Sequence, residues 1–266
     1  MEIADKTVLI TGASSGIGVA IAEAMRRAGA THVLLVARCE PRLRKVADEI
    51  ESAGGIAGVY PADLSDPGSV EAVAHRILGE IGAPDILVNN AGSGRWRFLP
   101  ETQLEEIAQT MVLPYFAAAW LTRALLPAML ERGSGHILNI SSVASRLAWP
   151  GATAYIAACR AMRGFSDALR ADLYGTRIGV THYESGPIES PYWENNPGSR
   201  ERVPGIARML VPALTEEQAA QAVVAGIRGN KRFVVIPGAL KRIYLLHSFF
   251  PGLVQWLMTR TGYRPN

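Results

Sequence analysis

Short runs of apolar and β-branched residues recur along the chain, separated by longer segments whose apolar residues return every three or four positions. Several short runs, such as "TVLIT" and "DILVNN", are apolar almost throughout, which is typical of strands buried on both faces of a sheet. The predicted strands cover residues 7–11, 32–38, 58–63, 85–90, 136–142, 179–185 and 232–237. Their alternation with helical segments predicts the α/β class, with a doubly wound, seven-stranded parallel sheet and helices on both faces.

The chain shows no internal repeat, no low-complexity tract and no linker between two domains. We therefore predict one domain over residues 1–240. Within it, proline and glycine punctuate residues 187–214, which we interpret as an insertion above the carboxyl edge of the sheet. Residues 241–266 form an unusually apolar C-terminal extension.

Composition narrows the classes of function. The chain has 266 residues, of which 48% are hydrophobic and 19% charged, so it can bury a sizeable core. Its net charge is only +3 and its basic residues are scattered, so we expect no nucleic-acid partner. Cys39 and Cys159 are isolated, which argues against a metal site or a disulfide and fits the cytoplasm. The first ten residues lack the apolar run of a signal peptide.

A glycine-rich loop, "TGASSGIG", follows the first predicted strand at residues 11–18. Gly12, Gly16 and Gly18 allow a tight turn and a close approach of the backbone to a pyrophosphate, which the amides at the following helix N-terminus would face. The alternative is a tight turn that binds nothing. The flanking strand and helix favour a dinucleotide site.

The end of the second predicted strand bears on the choice of cofactor. An acidic residue there would bind a ribose hydroxyl and repel a 2′-phosphate. This chain instead has Arg38, whose guanidinium suits a phosphate, although a surface arginine without a role is the alternative. We therefore expect NADP(H) rather than NAD(H).

Further motifs complete a recognisable set. They are "NNAG" at 89–92, "NISS" at 139–142, "AD" at 62–63, and Tyr155 thirteen residues beyond Ser142. With the glycine loop, they resemble the short-chain dehydrogenase/reductase family over roughly residues 5 to 240. The resemblance implies a single-domain Rossmann fold, hydride transfer between a nicotinamide and an alcohol or carbonyl, and assembly as a homodimer or homotetramer.

The resemblance also assigns roles to individual residues. Tyr155 would be the acid/base, and Ser142 would orient the substrate oxygen. The residues expected to contact the cofactor are Gly12, Ser14, Ser15, Gly16, Ile17, Gly18, Arg38, Asp63, Asn90, Ala91, Gly92, Tyr155, Gly186, Pro187, Ile188 and Ser190.

Two members of the family's catalytic tetrad are missing. Pro114 stands at the position of an asparagine that holds a relay water, and Cys159 replaces the lysine that lowers the tyrosine pKa. Nearby, Glu184 and Ser185 also depart from the family pattern. An unassisted tyrosine has a pKa near ~10, so oxidation, which needs a proton acceptor, should suffer more than reduction. Pro114 should also distort its helix, since it lacks an N–H.

Two side chains are candidates to replace the lost groups. Arg163 lies two helical turns after Tyr155 and could reach the cofactor ribose, as could the neighbouring Arg160, or both could make ordinary surface pairs. Glu184 could be a substitute acid/base at the carboxyl edge of the sheet, or a structural acid.

The substrate side is rich in aromatic residues, which predicts a mostly apolar pocket for a small carbonyl or alcohol. These residues are Trp96, Phe98, Trp149, Tyr192 and Trp193, and the alternative for each is a place in the core or in an interface. We predict reduction of an apolar ketone or aldehyde with Tyr155 as proton donor. The alternatives are a non-redox enzyme of the same fold, such as a dehydratase, isomerase or cyclase, and a cofactor-binding pseudoenzyme.

The C-terminal extension admits two interpretations. Its apolar run, residues 243–258, is broken by Pro251 and Gly252 and is shorter than the ~20 residues of a membrane span. It is flanked by basic residues, which would suit weak contact with a membrane surface. We favour a subunit contact or a lid on the site, because oligomers are common in the family.

Overall fold

The sheet is the centre of the molecule in the computed structural model, which describes residues 1–264. Seven parallel strands lie in the order β3-β2-β1-β4-β5-β6-β7. Their bounds are β1 Thr7–Thr11, β2 His32–Ala37, β3 Ile56–Pro61, β4 Ile86–Asn89, β5 Gly135–Ser142, β6 Ile178–Ser185 and β7 Phe233–Ile236. The predicted α/β class and doubly wound parallel sheet are confirmed. The order reverses between β1 and β4, where such folds open a crevice at the carboxyl ends of the strands.

The third strand is the one whose predicted bounds are shifted. It covers 56–61 rather than 58–63, because Ile56 to Pro61 pair in unbroken register with His32 to Ala37 of β2. β3 is an edge strand, and Ile56 is half exposed. Its extent therefore follows its neighbour's register more than its own apolar pattern.

Helices cover both faces of the sheet and bury a separate apolar core on each. One face carries α1 Ile17–Arg27, α2 Glu40–Ser52 and α9 Glu216–Arg228. The other carries α3 Pro67–Glu80, α4 Leu104–Met111, α5 Ala117–Arg132 and α6 Thr153–Asp172. Alternation along β1 supplies both cores, since Val8 and Ile10 enter the first and Leu9 the second.

The segment between α4 and α5 is a π-helical turn, Val112–Phe116, with Pro114 at its centre. A proline has no N–H to donate and its ring collides with the carbonyl four residues earlier, and a widened turn relieves both problems. The predicted distortion at Pro114 is therefore present. The whole run 104–132 is long and apolar enough to cross a membrane by length and composition alone, but Leu121, Leu125 and Met129 are fully buried in the second core.

A third apolar cluster covers the carboxyl edge of the sheet. It joins the insertion, which contains α7 Tyr192–Asn195 and α8 Gly205–Leu210, to the C-terminal helices α10 Gly238–Phe249 and α11 Pro251–Arg260. Leu240, Val254 and Met258 pack there beside Trp96 and Trp149. The extension predicted over 241–266 is therefore packed on the domain as far as it is described, and its last two residues lie outside the described part.

Candidate active site

The glycine loop joins β1 to α1 with little room for side chains. Gly12 has φ 67° and Gly16 has φ 62°, in the left-handed region that favours glycine. A Cβ on Gly18 would overlap the Gly12 carbonyl oxygen, and one on Gly12 would lie 3.0 Å from the Ala91 Cα. The α1 N-terminus has no acidic residue in its first turn, so its positive dipole end is left uncompensated for an anion.

Hydrogen bonds to Thr11 hold the "NNAG" segment against this loop. The Thr11 hydroxyl oxygen accepts hydrogen bonds of 2.9 Å from the backbone amides of Asn90 and Ala91. In return, the Asn90 side-chain amide donates to the Thr11 carbonyl oxygen at 2.9 Å. These bonds fix the carboxyl ends of β1 and β4 as one rigid edge.

One cavity of about 990 Å³ runs from the glycine loop past Tyr155 to the C-terminal helices. It collects nearly all the residues that the sequence predicts for the site. Those that line it are Gly12, Ser14, Ser15, Gly16, Ile17, Gly18, Arg38, Asn90, Ala91, Gly92, Pro114, Ser142, Tyr155, Cys159, Ser185, Gly186, Pro187, Ile188 and Ser190. Asp63, Arg163 and Glu184 do not line it.

Arg38 lines the glycine-loop end of this cavity, and Asp63 lies just outside its lining. Arg38 is exposed and lines the cavity beside Cys39, whose thiol is also exposed. Asp63 lies between the lining residues Ala62 and Leu64, and its carboxylate accepts hydrogen bonds from the Ser65 hydroxyl at 2.7 Å and the Ser65 amide at 3.0 Å. These bonds lower the Asp63 pKa.

Tyr155 lies in the first turn of α6, next to Ser142 at the end of β5. Burial raises the Tyr155 pKa well above its usual value of 10, and neighbouring Cys159 and Tyr192 raise it further. The nearby Ser142 hydroxyl acts in the opposite direction but does not offset burial. The phenol is therefore protonated throughout the physiological range.

Cys159 lies one helical turn beyond Tyr155 and is 3% exposed. Burial raises the pKa of its thiol to about 12, and the neighbouring hydroxyls of Tyr155 and Ser141 offset this only weakly. A neutral thiol supplies neither the positive charge that would assist Tyr155 nor a ready nucleophile.

Arg163 and Glu184 pair with each other, away from the cavity. Glu184 is fully buried and accepts bonds from Arg163 Nη1 at 2.6 Å and Arg146 Nε at 2.8 Å. The pleat of β6 explains why Glu184 faces away from the cavity. Successive side chains of a strand point to opposite faces, and the next residue, Ser185, lines the cavity. This geometry supports the structural alternative for Glu184, and it engages Arg163 in an ion pair. Arg160 is exposed and donates to the Arg146 carbonyl oxygen.

Aromatic side chains enclose the Tyr155 ring. The Trp96 ring centroid lies 5.4 Å from that of Tyr155, 5.1 Å from Trp149 and 5.7 Å from Trp193. Tyr192 is held in place because its hydroxyl accepts from the Trp96 indole N–H at 3.1 Å and donates to the Gly94 carbonyl oxygen at 3.0 Å. Four of the five predicted aromatics thus line the cavity.

Phe98 is the exception. Its ring lies 6.3 Å from that of Tyr263, and the Arg202 guanidinium stacks on both rings at 5.3 and 5.0 Å. Phe98 therefore helps to hold the end of the chain against the domain instead of facing the cavity.

Sequence reasoning missed two parts of the site. Arg146, a partner of Glu184, follows the "NISS" motif in a loop with no distinctive pattern. The cavity wall built by α10 and α11 was anticipated only as a lid or subunit contact. Its lining residues are Leu240, Ile243, Leu246, Val254, Leu257 and Met258.

Fold and cavity together define a doubly wound α/β protein with a glycine loop and a tyrosine–serine pair at one sheet edge. The sequence profile of the family described as "short chain dehydrogenase" matches residues 6–200. The chain belongs to this family, the short-chain dehydrogenases/reductases.

Relatives and solved structures agree with this assignment. The chain is 35% identical over 245 residues to the fatty acyl-CoA reductase of Acinetobacter baylyi, covering 91% of this chain and 80% of that protein. It is 32% identical over 234 residues to the ketoacyl reductase HetN of Nostoc sp., covering 87% and 78%. A short-chain dehydrogenase from Sphingobium yanoikuyae in complex with NADPH has a TM-score of 0.79 at 28% identity, covering 93% and 94%.

Proposed function

We propose that this protein is an NADP(H)-dependent oxidoreductase that reduces the carbonyl group of an apolar ketone or aldehyde. The observation that carries the proposal is the position of Tyr155 and Ser142 in a single cavity. On one side of them lies the glycine loop, and on the other a wall of aromatic and aliphatic side chains. A family member with this arrangement can hold a cofactor and an apolar substrate together.

The glycine-loop end suits a dinucleotide phosphate. Gly12 and Gly16 leave the backbone open to a pyrophosphate, and the α1 N-terminus adds a favourable dipole. Arg38 is exposed at the rim and pairs with no carboxylate within residues 1–264, so its guanidinium is available to a 2′-phosphate. The solved structure of the similar Sphingobium protein is a complex with NADPH. NADPH would supply the hydride.

Tyr155 and Ser142 would act on the substrate oxygen. The Ser142 hydroxyl would donate a hydrogen bond to the carbonyl oxygen and hold it near the Tyr155 hydroxyl. As the carbonyl carbon is reduced, Tyr155 would donate its proton to that oxygen. Because its pKa is raised well above 10, Tyr155 holds this proton at neutral pH. The reverse reaction would need the phenolate form of Tyr155. Fewer than about one molecule in a thousand carries that form at pH 7.

The far end of the cavity favours an apolar substrate. Trp96 and Trp149 are nearly buried there, and aliphatic residues of α10 and α11 complete the wall. Such a surface binds an alkyl or acyl chain by excluding water from it. Two relatives are named as reductases of acyl compounds, which supports the same chemistry here.

The test combines cofactor titration with a panel of ketones and aldehydes of increasing alkyl length. We expect NADPH to bind more tightly than NADH, and the oxidation rate of NADPH to rise with alkyl length. Tyr155→Phe should leave the Kd for NADPH unchanged within about threefold and lower kcat by roughly 10²–10⁴-fold. Tyr174→Phe, at a tyrosine that is 92% exposed, is the matched control and should behave as wild type.

If NADPH binds but no carbonyl in the panel is reduced, and Tyr155→Phe changes nothing, the redox proposal is wrong. A non-redox enzyme or a cofactor-binding pseudoenzyme would then be the better description.

A further inference from the structure

Eight large apolar side chains form an exposed surface on the C-terminal helices and the neighbouring α8. This surface, the tail patch, has exposed fractions between 41% and 73%. Its members are Met209, Leu210, Leu245, Leu246, Phe249, Phe250, Leu253 and Trp256. Exposed apolar residues are common singly, but a group on helices that pack together, as α10 does on α11 and α11 on α8, marks an interaction surface.

The tail patch is continuous with the mouth of the cavity. Leu210 and Leu246 belong to the patch and also line the cavity. Ile243 of α10 and Leu257 of α11 line it beside them. Whatever covers the patch therefore lies at the entrance to the apolar half of the candidate active site.

The chain segment that carries α10 and α11 has charges of one sign. Residues 218–266 contain seven lysines and arginines and no aspartate or glutamate. Lys241 and Arg242 lie near the start of α10, Arg260 ends α11 and Arg264 follows it. All four are exposed, and none pairs with a carboxylate in the described part of the chain. Apolar side chains bordered by unpaired cations are complementary to a surface that is apolar beneath an anionic layer.

We propose that the tail patch docks the protein on the surface of an anionic lipid bilayer. The helices would lie in the interface without spanning it, since α10 has 12 residues and α11 has 10, or roughly 18 and 15 Å. The apolar core of a bilayer is ~30 Å thick. Trp256 and the two phenylalanines suit the headgroup boundary, and the cations would meet lipid phosphates. This inference does not depend on the proposed reaction.

A second copy of the chain fits the patch less well. An isologous pair brings the same surface of each subunit together, so Lys241 and Arg242 would face a second cluster of cations. Like charges across an interface disfavour association, whereas an anionic bilayer attracts every one of these groups.

The experiment is co-sedimentation of the full chain with phosphatidylcholine vesicles, with or without phosphatidylglycerol. We expect binding to the anionic vesicles that weakens as salt is added. The variant Phe249→Ser/Phe250→Ser/Trp256→Ser should bind at least about a hundredfold more weakly. Lys241→Glu/Arg242→Glu should weaken binding at least about 25-fold, since each basic residue near the surface contributes a factor of about five.

Matched variants control for exposure and charge outside the patch. Leu104→Ser/Tyr174→Ser removes two apolar residues that are 80% and 92% exposed, and Lys45→Glu/Arg123→Glu makes the same change in net charge. Both should bind as wild type. Circular dichroism confirms that each variant is folded.

Three results would overturn the proposal. The first is a chain that stays in the supernatant with anionic vesicles at low salt. The second is sedimentation that the patch variants do not reduce. The third is a dimer by light scattering that the serine variant converts to a monomer while vesicles bind neither form, which would assign the patch to a second copy.

Discussion

Single residues decide which chemistry this site favours. Cys159 lies one helical turn beyond Tyr155, and its thiol is neutral because burial raises its pKa to about 12. The one fully buried carboxylate near the site, Glu184, is engaged with two guanidiniums. Among residues 1–264, neither a cationic side chain nor a free carboxylate lies beside Tyr155. A neutral phenol remains, suited to giving a proton and poorly suited to taking one.

The pairing of Glu184 leads to a direct test of its role. Glu184→Gln would leave Arg146 without its counter-charge and Arg163 with only the more distant Asp167, at 3.9 Å. We expect it to lower the free energy of unfolding by about 2–4 kcal/mol. Glu189→Gln is the matched control, because Glu189 pairs with Arg200 at 2.6 Å on the surface. Exposed pairs contribute about 0–1 kcal/mol. Urea unfolding and carbonyl reduction should be measured on both variants.

Unchanged stability in Glu184→Gln, together with loss of turnover, would restore the catalytic interpretation of this carboxylate. We expect instead that the folded variant keeps the activity of the wild type.

Among the elements, α11 is the one whose attachment closes the cavity. Its end is tied to the domain where the Gly205 amide donates to the Thr261 carbonyl oxygen at 2.9 Å. Gly262 packs against Pro150 so closely that a Cβ would lie 2.5 Å from the proline Cδ. A rigid proline ring cannot move aside as a flexible side chain would, so this contact requires glycine.

Gly262→Ala should therefore loosen the C-terminal helices. We expect the free energy of unfolding to fall by about 1–3 kcal/mol and proteolysis within α10 and α11 to become faster. The KM should rise for long-chain carbonyls and change little for short ones. Gly252→Ala is the control, since a Cβ there has no neighbour within 4 Å and should be tolerated. Equal protease resistance in the two alanine variants would show that the Gly262 contact does not hold the tail.

The elements also show how far sequence reasoning reaches. The glycine loop and the strands near it are predictable because their apolar runs and turn residues are local signals. The side of β6 on which Glu184 falls is not, because it depends on the pleat and on Arg146 from a distant loop. The C-terminal tail is a similar case. Its composition indicates an apolar partner, but only the packed structure shows which face of α10 and α11 lines the cavity.

At the scale of the whole molecule, two buried histidines link folding to pH. Burial lowers the pKa of His136 to about 4, and burial together with Arg163 lowers that of His182 to about 3. In the unfolded chain these histidines have a pKa near ~6.5. Below that pH the unfolded chain therefore binds protons that the folded chain does not bind. Their stabilisation is complete above that value and is lost as pH falls toward the folded pKa values.

We therefore expect the free energy of unfolding to fall by about 2 kcal/mol per histidine between pH 7 and pH 5. Urea titrations at the two pH values measure this difference. His182→Asn should remove about half of the pH dependence, whereas His75→Asn, at an exposed position, should leave it intact. A wild-type stability that does not change over this range would contradict the assignment.

The two cysteines offer a practical consequence. Cys159 is buried, whereas Cys39 is exposed at the rim of the cavity beside Arg38. A thiol-reactive fluorophore would therefore attach at one position without mutagenesis, next to the arginine proposed to bind a 2′-phosphate. The native chain thus carries its own attachment point for an optical reporter of cofactor binding, which would follow occupancy even in variants that no longer turn over.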